Sequence, residues 1–201
     1  MVKKVLILVN HDVVIYNFRR ELVERLLSSG YKVFISSPYG ERIDDLVNMG
    51  CQYIETTMSR HGTNIFEELK LIFHYTKIVK MVRPDVVLSY TIKPNIYGGM
   101  VCRIFNVPYI ANITGLGTAV ENKGRMQKVM TILYKIASKK VNCVFFQNTE
   151  NQQFFIDNSI AVDKHRLIPG SGVNLDYFHV MDYPHDNIVE FVFISRIMEK
   201  K

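Results

Sequence analysis

The feature that most constrains this chain is the alternation of short, unbroken apolar runs with longer segments of helical period. Runs such as Val5-Leu6-Ile7-Leu8-Val9 and Cys143-Val144-Phe145-Phe146 do not alternate apolar with polar residues. An uninterrupted run rich in β-branched residues suits a strand covered on both faces, as in a parallel sheet. The pattern places strands at residues 4–9, 32–36, 51–56, 85–89, 108–112, 142–147 and 166–168. Helices fall between them, at 17–29, 41–49, 65–82, 96–105, 125–138 and 150–158. Gly30 and Gly50 follow the first two helices as stop signals, and Arg83-Pro84 ends the third. A strict β-then-α order predicts an α/β fold with a doubly wound parallel sheet.

The pattern changes after Pro169-Gly170-Ser171-Gly172. Residues 173–187 are polar and irregular and read as a linker, and 188–194 read as a fresh strand opening a second unit that the 201-residue sequence enters but does not complete. Hydrophobic residues make up 48% of the chain, enough for a sizeable core, and no apolar run approaches the ~20 residues needed to span a bilayer. Cys51, Cys102 and Cys143 are far apart and form no ligand-type spacing, so they read as reduced core thiols of a cytoplasmic protein.

In a doubly wound sheet, ligands bind beyond the carboxyl ends of the strands, so the strand-to-helix loops carry the functional signal. The first, 10–19, has no GxGxxG, and GxxxxGK[ST] occurs nowhere, which disfavours dinucleotide binding and removes the P-loop NTPases. The fourth, 90–95, offers Lys93 with several hydroxyl and amide groups. In the fifth, Thr114-Gly115-Leu116-Gly117-Thr118 could close backbone N–H groups on an anion.

The net charge of +6 is concentrated just downstream, where residues 121–140 hold Lys123, Arg125, Lys128, Lys135, Lys139 and Lys140 against Glu121. On a helix there, Met126, Val129, Met130, Leu133, Ile136 and Ala137 share one face. Lys128, Lys135 and Lys139 share the opposite one, flanked by Ile132. That face is either a solvated helix surface or a surface that docks on an anionic bilayer. On helix 65–82, Ile65, Leu69, Ile72, Phe73, Thr76, Val79 and Val82 form an apolar stripe, while His74 sits among polar positions. No paired carboxylates, Ser-His-Asp set or metal-spaced His/Cys cluster emerges, so neither a metal nor a covalent mechanism is expected, and no catalytic residue is named. The basic face lacks the interleaved aromatics of a nucleic-acid surface.

Several segments together resemble the N-terminal domain of family 4 glycosyltransferases. These are retaining enzymes of the two-domain, Rossmann-like GT-B architecture that build bacterial capsule, O-antigen and related glycans. The carriers are Ile15-Tyr16-Asn17-Phe18-Arg19, Ser59-Arg60-His61-Gly62 and Arg83-Pro84-Asp85-Val86-Val87, followed by 91–98, Asn112-Ile113-Thr114-Gly115-Leu116-Gly117, 145–148 and 168–174. At the end, Ser195-Arg196-Ile197-Met198-Glu199-Lys200-Lys201 is similar to the family's Gly-Arg-Leu-x-x-x-Lys-Gly, with Ser in place of the first Gly and the Arg-to-Lys spacing kept. Where the family often has a histidine after the fifth strand, this chain has residues 114–118 instead, and the family's Glu-x7-Glu does not occur in it.

The resemblance implies an acceptor-binding domain at 1–172, a linker at 173–187 and the start of a donor-binding domain at 188–201. It implies transfer of a sugar from a nucleotide-sugar to an undecaprenyl-diphosphate-linked or glycan acceptor, on the inner face of the cell membrane and without metal or other cofactor. Lys93, Thr114, Gly115, Gly117 and Arg60 would face the acceptor diphosphate, His11 and Asn17 would lie near the cleft floor, and Arg196 and Lys201 would hold the donor diphosphate. Lys128, Lys135 and Lys139 would face the membrane. In retaining members the leaving phosphate takes the acceptor proton, which fits the lack of an evident base. A sugar-nucleotide 2-epimerase of the same architecture and a non-catalytic polyanion-binding module are the alternatives.

Overall fold

The computed structural model describes residues 2–58, 64–117, 120, 124–182, 189 and 191–194. Seven strands form one all-parallel sheet: β1 (Lys4–Leu8), β2 (Lys32–Ser37), β3 (Gln52–Glu55), β4 (Val86–Tyr90), β5 (Tyr109–Ile113), β6 (Cys143–Phe146) and β7 (His165–Leu167), in the order β3-β2-β1-β4-β5-β6-β7. The helices are α1 (Asp12–Ser28), α2 (Ile43–Asn48), α3 (Ile65–Val82), α4 (Gly99–Phe105), α5 (Arg125–Ala137) and α6 (Thr149–Asp157). The seven strands expected between residues 4 and 168 are present, whereas the described residues of the strand expected at 188–194 are not in a strand, and the sheet is doubly wound.

The unbroken run of β1 shows why. Val5, Ile7 and Val9 pack with Ile15 and Val23 of α1 and Leu46 of α2 on one face. Leu6 and Leu8 pack with α3, α4, α5 and α6 on the other. Successive side chains point to opposite faces, so only an all-apolar strand can be buried twice. The chain winds outward through β2 and β3, then returns through α3 to β4 on the far side of β1. The order therefore reverses between β1 and β4, and the crevice opens beyond their carboxyl ends.

Three local readings are corrected. First, α1 begins at Asp12, not at residue 17. The Asp12 carboxylate is fully buried in the first turn, where the helix dipole favours an anion, and accepts from the Arg42 backbone N–H at 2.6 Å. Gly40 lies so close that a Cβ there would overlap that carboxylate. Second, the apolar stripe on α3 is only partly core: Val79 and Val82 are buried with Leu71, Tyr75 and Ile78, but Ile65, Leu69 and Phe73 are exposed. Third, Tyr134 and Ala137 are the buried residues of α5, while Met126, Val129 and Ile136 face solvent along with Ile132. In both helices there are more apolar positions than one sheet face can cover. Val189 and residues 191–194 are exposed and lie outside the seven-stranded sheet.

Candidate functional site

Two hollows adjoin at the carboxyl ends of the central strands. The first, of about 320 Å³, is formed where the loops after β4 and β5 meet Asn10 and Met58, and it brings together Lys93, Thr114, Gly115 and Gly117. A buried polar network sets those loops. Ser89 Oγ lies 2.5 Å from Asn95 Oδ1 and 2.8 Å from the Tyr109 hydroxyl, which donates to the Asn95 carbonyl at 2.6 Å. Asn95 Nδ2 donates to the Asn112 carbonyl at 2.9 Å, and Asn112 Nδ2 donates back to the Ser89 carbonyl at 3.2 Å. Burial holds the Tyr109 hydroxyl well above its ordinary pKa, so it remains a proton donor. This ladder ties β4 and β5 to a π-helical turn, Pro94–Gly98, that precedes α4. Such turns recur at functional sites.

Thr91 opens that turn with φ 71°, a left-handed conformation that a β-branched residue adopts only when its surroundings enforce it. Its Oγ1 is buried without a hydrogen-bond partner among the described residues. Gly117 has φ 70°, and a Cβ there would press on Ile92 at 3.1 Å, so packing and backbone both require glycine. At Gly115 a Cβ would meet open space, so internal packing does not explain the glycine.

Lys93 lines the first hollow and is at the same time paired within the protein. Its Nζ is 2.6 Å from Glu68 Oε1 in the first turn of α3, and both side chains are under one-fifth exposed. Burial, with the same carboxylate, raises the Tyr97 pKa. His11 serves as the N-cap of α1: Nδ1 lies 2.5 Å from Asp12 Oδ1 and 3.4 Å from the Val13 N–H. Asn17 is exposed on α1, and neither it nor His11 lines either hollow. Arg60, Arg196 and Lys201 lie outside the described residues. Lys128, Lys135 and Lys139 are exposed, the last in a short 3₁₀ turn after α5. Among the described residues no group of three or more His, Cys, Asp or Glu is placed to hold a metal ion.

The second hollow, of about 260 Å³, lies between α1 and the loop after β7, and Arg19, Glu21, Tyr90, Asn112 and Ser171 contribute its polar side chains. The sequence reading names no role for Arg19. With Asp12 as the first helical residue, the spacing Ile15-Arg19-Val23 puts all three on the buried face, and all three are buried.

Comparison with known proteins follows the same geometry. Residues 4–148 match the family described as Glycosyl transferase 4-like. Over 169 residues the chain is 28% identical to N,N'-diacetylbacillosaminyl-diphospho-undecaprenol alpha-1,3-N-acetylgalactosaminyltransferase of Campylobacter jejuni, covering 82% of this chain and 45% of that protein. A glycosyltransferase from Rickettsia africae superposes with a TM-score of 0.66 at 19% identity, covering 89% of this chain and 45% of that one. Anabaena HepE, solved with UDP and glucose, gives a TM-score of 0.62 at 13% identity, covering 87% and 46%. The chain thus spans about half the length of these relatives. The two structural likenesses carry the fold, and the match over residues 4–148 carries the family: this chain belongs to the Glycosyl transferase 4-like family.

Proposed function

We propose that this chain is the acceptor-binding half of a glycosyltransferase that moves a sugar from a nucleotide-sugar onto a lipid-diphosphate-linked acceptor in surface polysaccharide synthesis. The observation that carries this reading is the first hollow. Gly115 leaves room that packing does not use, and the Thr91 hydroxyl is buried without a partner beside it. A diphosphate oxygen accepting from that hydroxyl and from backbone N–H groups would satisfy both. The Campylobacter relative, by its name, acts on an undecaprenol-diphosphate-linked sugar. Arg196 and Lys201 are the proposed cations for the donor diphosphate, where fixed positive charge would stabilise the leaving group. In this reading neither metal nor other cofactor takes part. The test is titration with a short-chain prenyl-diphosphate sugar: Gly115→Val should weaken binding about tenfold or more, and unchanged affinity would sink the assignment.

The reading also places the enzyme on the inner face of the membrane as a peripheral protein. No helix among the described residues is long and apolar enough to cross a bilayer. Instead, α3 and α5, which both pack against α4, turn apolar residues outward: Phe66, Leu69 and Phe73 on α3, and Val129, Ile132 and Ile136 on α5. Exposed lysines accompany both stripes, Lys70, Lys77 and Lys80 on one and Lys128, Lys135 and Lys139 on the other. Each lysine near an anionic surface contributes about 1 kcal/mol, screened over ~8–10 Å by salt. Co-sedimentation should therefore favour anionic over zwitterionic vesicles, fall with salt, and fall again in the Lys128/Lys135/Lys139→Glu variant. Binding indifferent to lipid charge would return these lysines to a solvated helix face.

A further inference from the structure

We infer that the second hollow, around Arg19, is a phosphate-type oxyanion subsite, separate from the hollow at Gly115. Taking it as a substrate subsite rests on the crevice being a substrate cleft, as proposed above.

The argument begins with the burial of a guanidinium. Arg19 is 9% exposed, yet no carboxylate forms an ion pair with it among the described residues. Its Nη1 donates to the Phe18 carbonyl at 2.5 Å, its Cζ sits 5.2 Å from the centroid of the Tyr90 ring, and the side chain also hydrogen-bonds to the Tyr90 hydroxyl. Those contacts hold the group in place but do not neutralise it, and a guanidinium carries five N–H donors in a fixed fork. A buried charge without a counter-charge is costly, so such groups are retained where an anion completes them.

The surroundings are those of a receptor. Arg19 projects from α1 into a hollow lined by Tyr90 of β4, Asn112 of β5, Phe145 of β6 and the loop after β7, at the carboxyl end of the sheet, where ligands of such sheets bind. Asn112 and Ser171 add an amide and a hydroxyl to the same hollow. The Asn112 amide nitrogen already donates to the Ser89 carbonyl, so its side-chain orientation is fixed by the network that shapes the first hollow. A Cβ on Gly170, which has φ 82°, would meet open space. Glu21 also lines the hollow, but its exposed carboxylate accepts from Asn174 Nδ2 at 3.3 Å and forms no ion pair with Arg19. A phosphate group matches the fork of Arg19 with two parallel hydrogen bonds. Tyr90 and Asn112 line this hollow while their near neighbours Thr91 and Thr114 line the other, so one substrate or two could occupy both at once.

The test uses the 201-residue chain and inorganic pyrophosphate as the probe, read by calorimetric titration, with circular dichroism confirming the fold of each variant. Pyrophosphate should bind the wild type, and Arg19→Met should weaken it about tenfold or more, the scale of a charge-assisted hydrogen bond. Arg19→Lys, which keeps the charge and loses the fork, should fall between them. Arg20→Met removes one charge from the exposed side of the same helix and should leave the affinity within about twofold. Absence of wild-type binding, or affinity equal in Arg19→Met and wild type, overturns the proposal. UDP and a short-chain prenyl diphosphate, each competed against pyrophosphate, separate the two sources: displacement by one of them, lost in Arg19→Met, assigns the subsite to donor or acceptor. Displacement by neither overturns its role as a substrate subsite. If Arg19-dependent pyrophosphate binding stands while the prenyl-diphosphate sugar fails to bind, the acceptor reading falls and the oxyanion subsite remains.

Discussion

The two hollows hold one cation each, part-buried Lys93 and buried Arg19, and treat it in opposite ways. Lys93 is matched by Glu68 at 2.6 Å, whereas Arg19 forms no ion pair with the described carboxylates and is held by a carbonyl and by the face and hydroxyl of Tyr90. The difference shows that a cation count says little about where a crevice can receive an anion. A paired lysine contributes to the architecture of its loop, and its charge is largely spent within the protein. An unmatched guanidinium keeps its donors available to an arriving anion, even with the exposed Glu21 lining the same hollow.

The largest effect that would break this contrast is on the paired side. Lys93→Met strands the Glu68 carboxylate in a part-buried position and should destabilise the fold by about 3 kcal/mol, at the low end for such pairs because both groups keep some solvent contact. Urea denaturation measures it, and the double variant Lys93→Met/Glu68→Gln should recover much of the loss. A change below about 0.5 kcal/mol for the single variant would mean that the pair does little and the two cations are alike after all. Next comes Gly117→Ala, which forces a Cβ at φ 70° against Ile92 and should cost about 1–2 kcal/mol. Gly115→Ala, in the same hollow but facing open space, should stay within about 0.5 kcal/mol. Equal losses at the two glycines would remove the argument that Gly115 faces a ligand.

The sharpest prediction has the opposite sign. Arg19→Met replaces an unmatched buried charge by an apolar side chain of similar length and should raise stability by about 1 kcal/mol while weakening anion binding about tenfold or more. Destabilisation at Arg19 as large as at Lys93 would show that the guanidinium is structural.

Much of the fold is legible along the chain, because burial on both faces demands apolar runs that β1 and β6 display openly. The candidate acceptor hollow is partly legible too: Lys93, Thr114, Gly115 and Gly117 are brought together as the loop positions suggest. His11 is not legible in the same way, since whether an imidazole caps a helix or faces a cleft depends on where the helix starts. That start was hidden because Asp12 is stabilised by Arg42, thirty residues away, and by the close approach of Gly40.

The exposed apolar residues of α3 and α5 mark the other boundary. Helical period shows that Phe66, Leu69, Phe73, Val129 and Ile132 sit on a helix, but not which arc meets the sheet. The sheet face under α3 is already filled by Leu71, Tyr75, Ile78, Val79 and Val82, and packing at crystal-like density admits no second stripe. What the sequence determined by itself is therefore the order of strands and helices, the doubly wound class, and the loops that reach the crevice, since these follow from periodicity and turn chemistry within a few residues. What only the tertiary structure decided is which charges are matched. Glu68 reaches Lys93 across twenty-five residues of chain, while Arg19 finds no described carboxylate, and pairing of that kind depends on distances through space that sequence spacing does not encode.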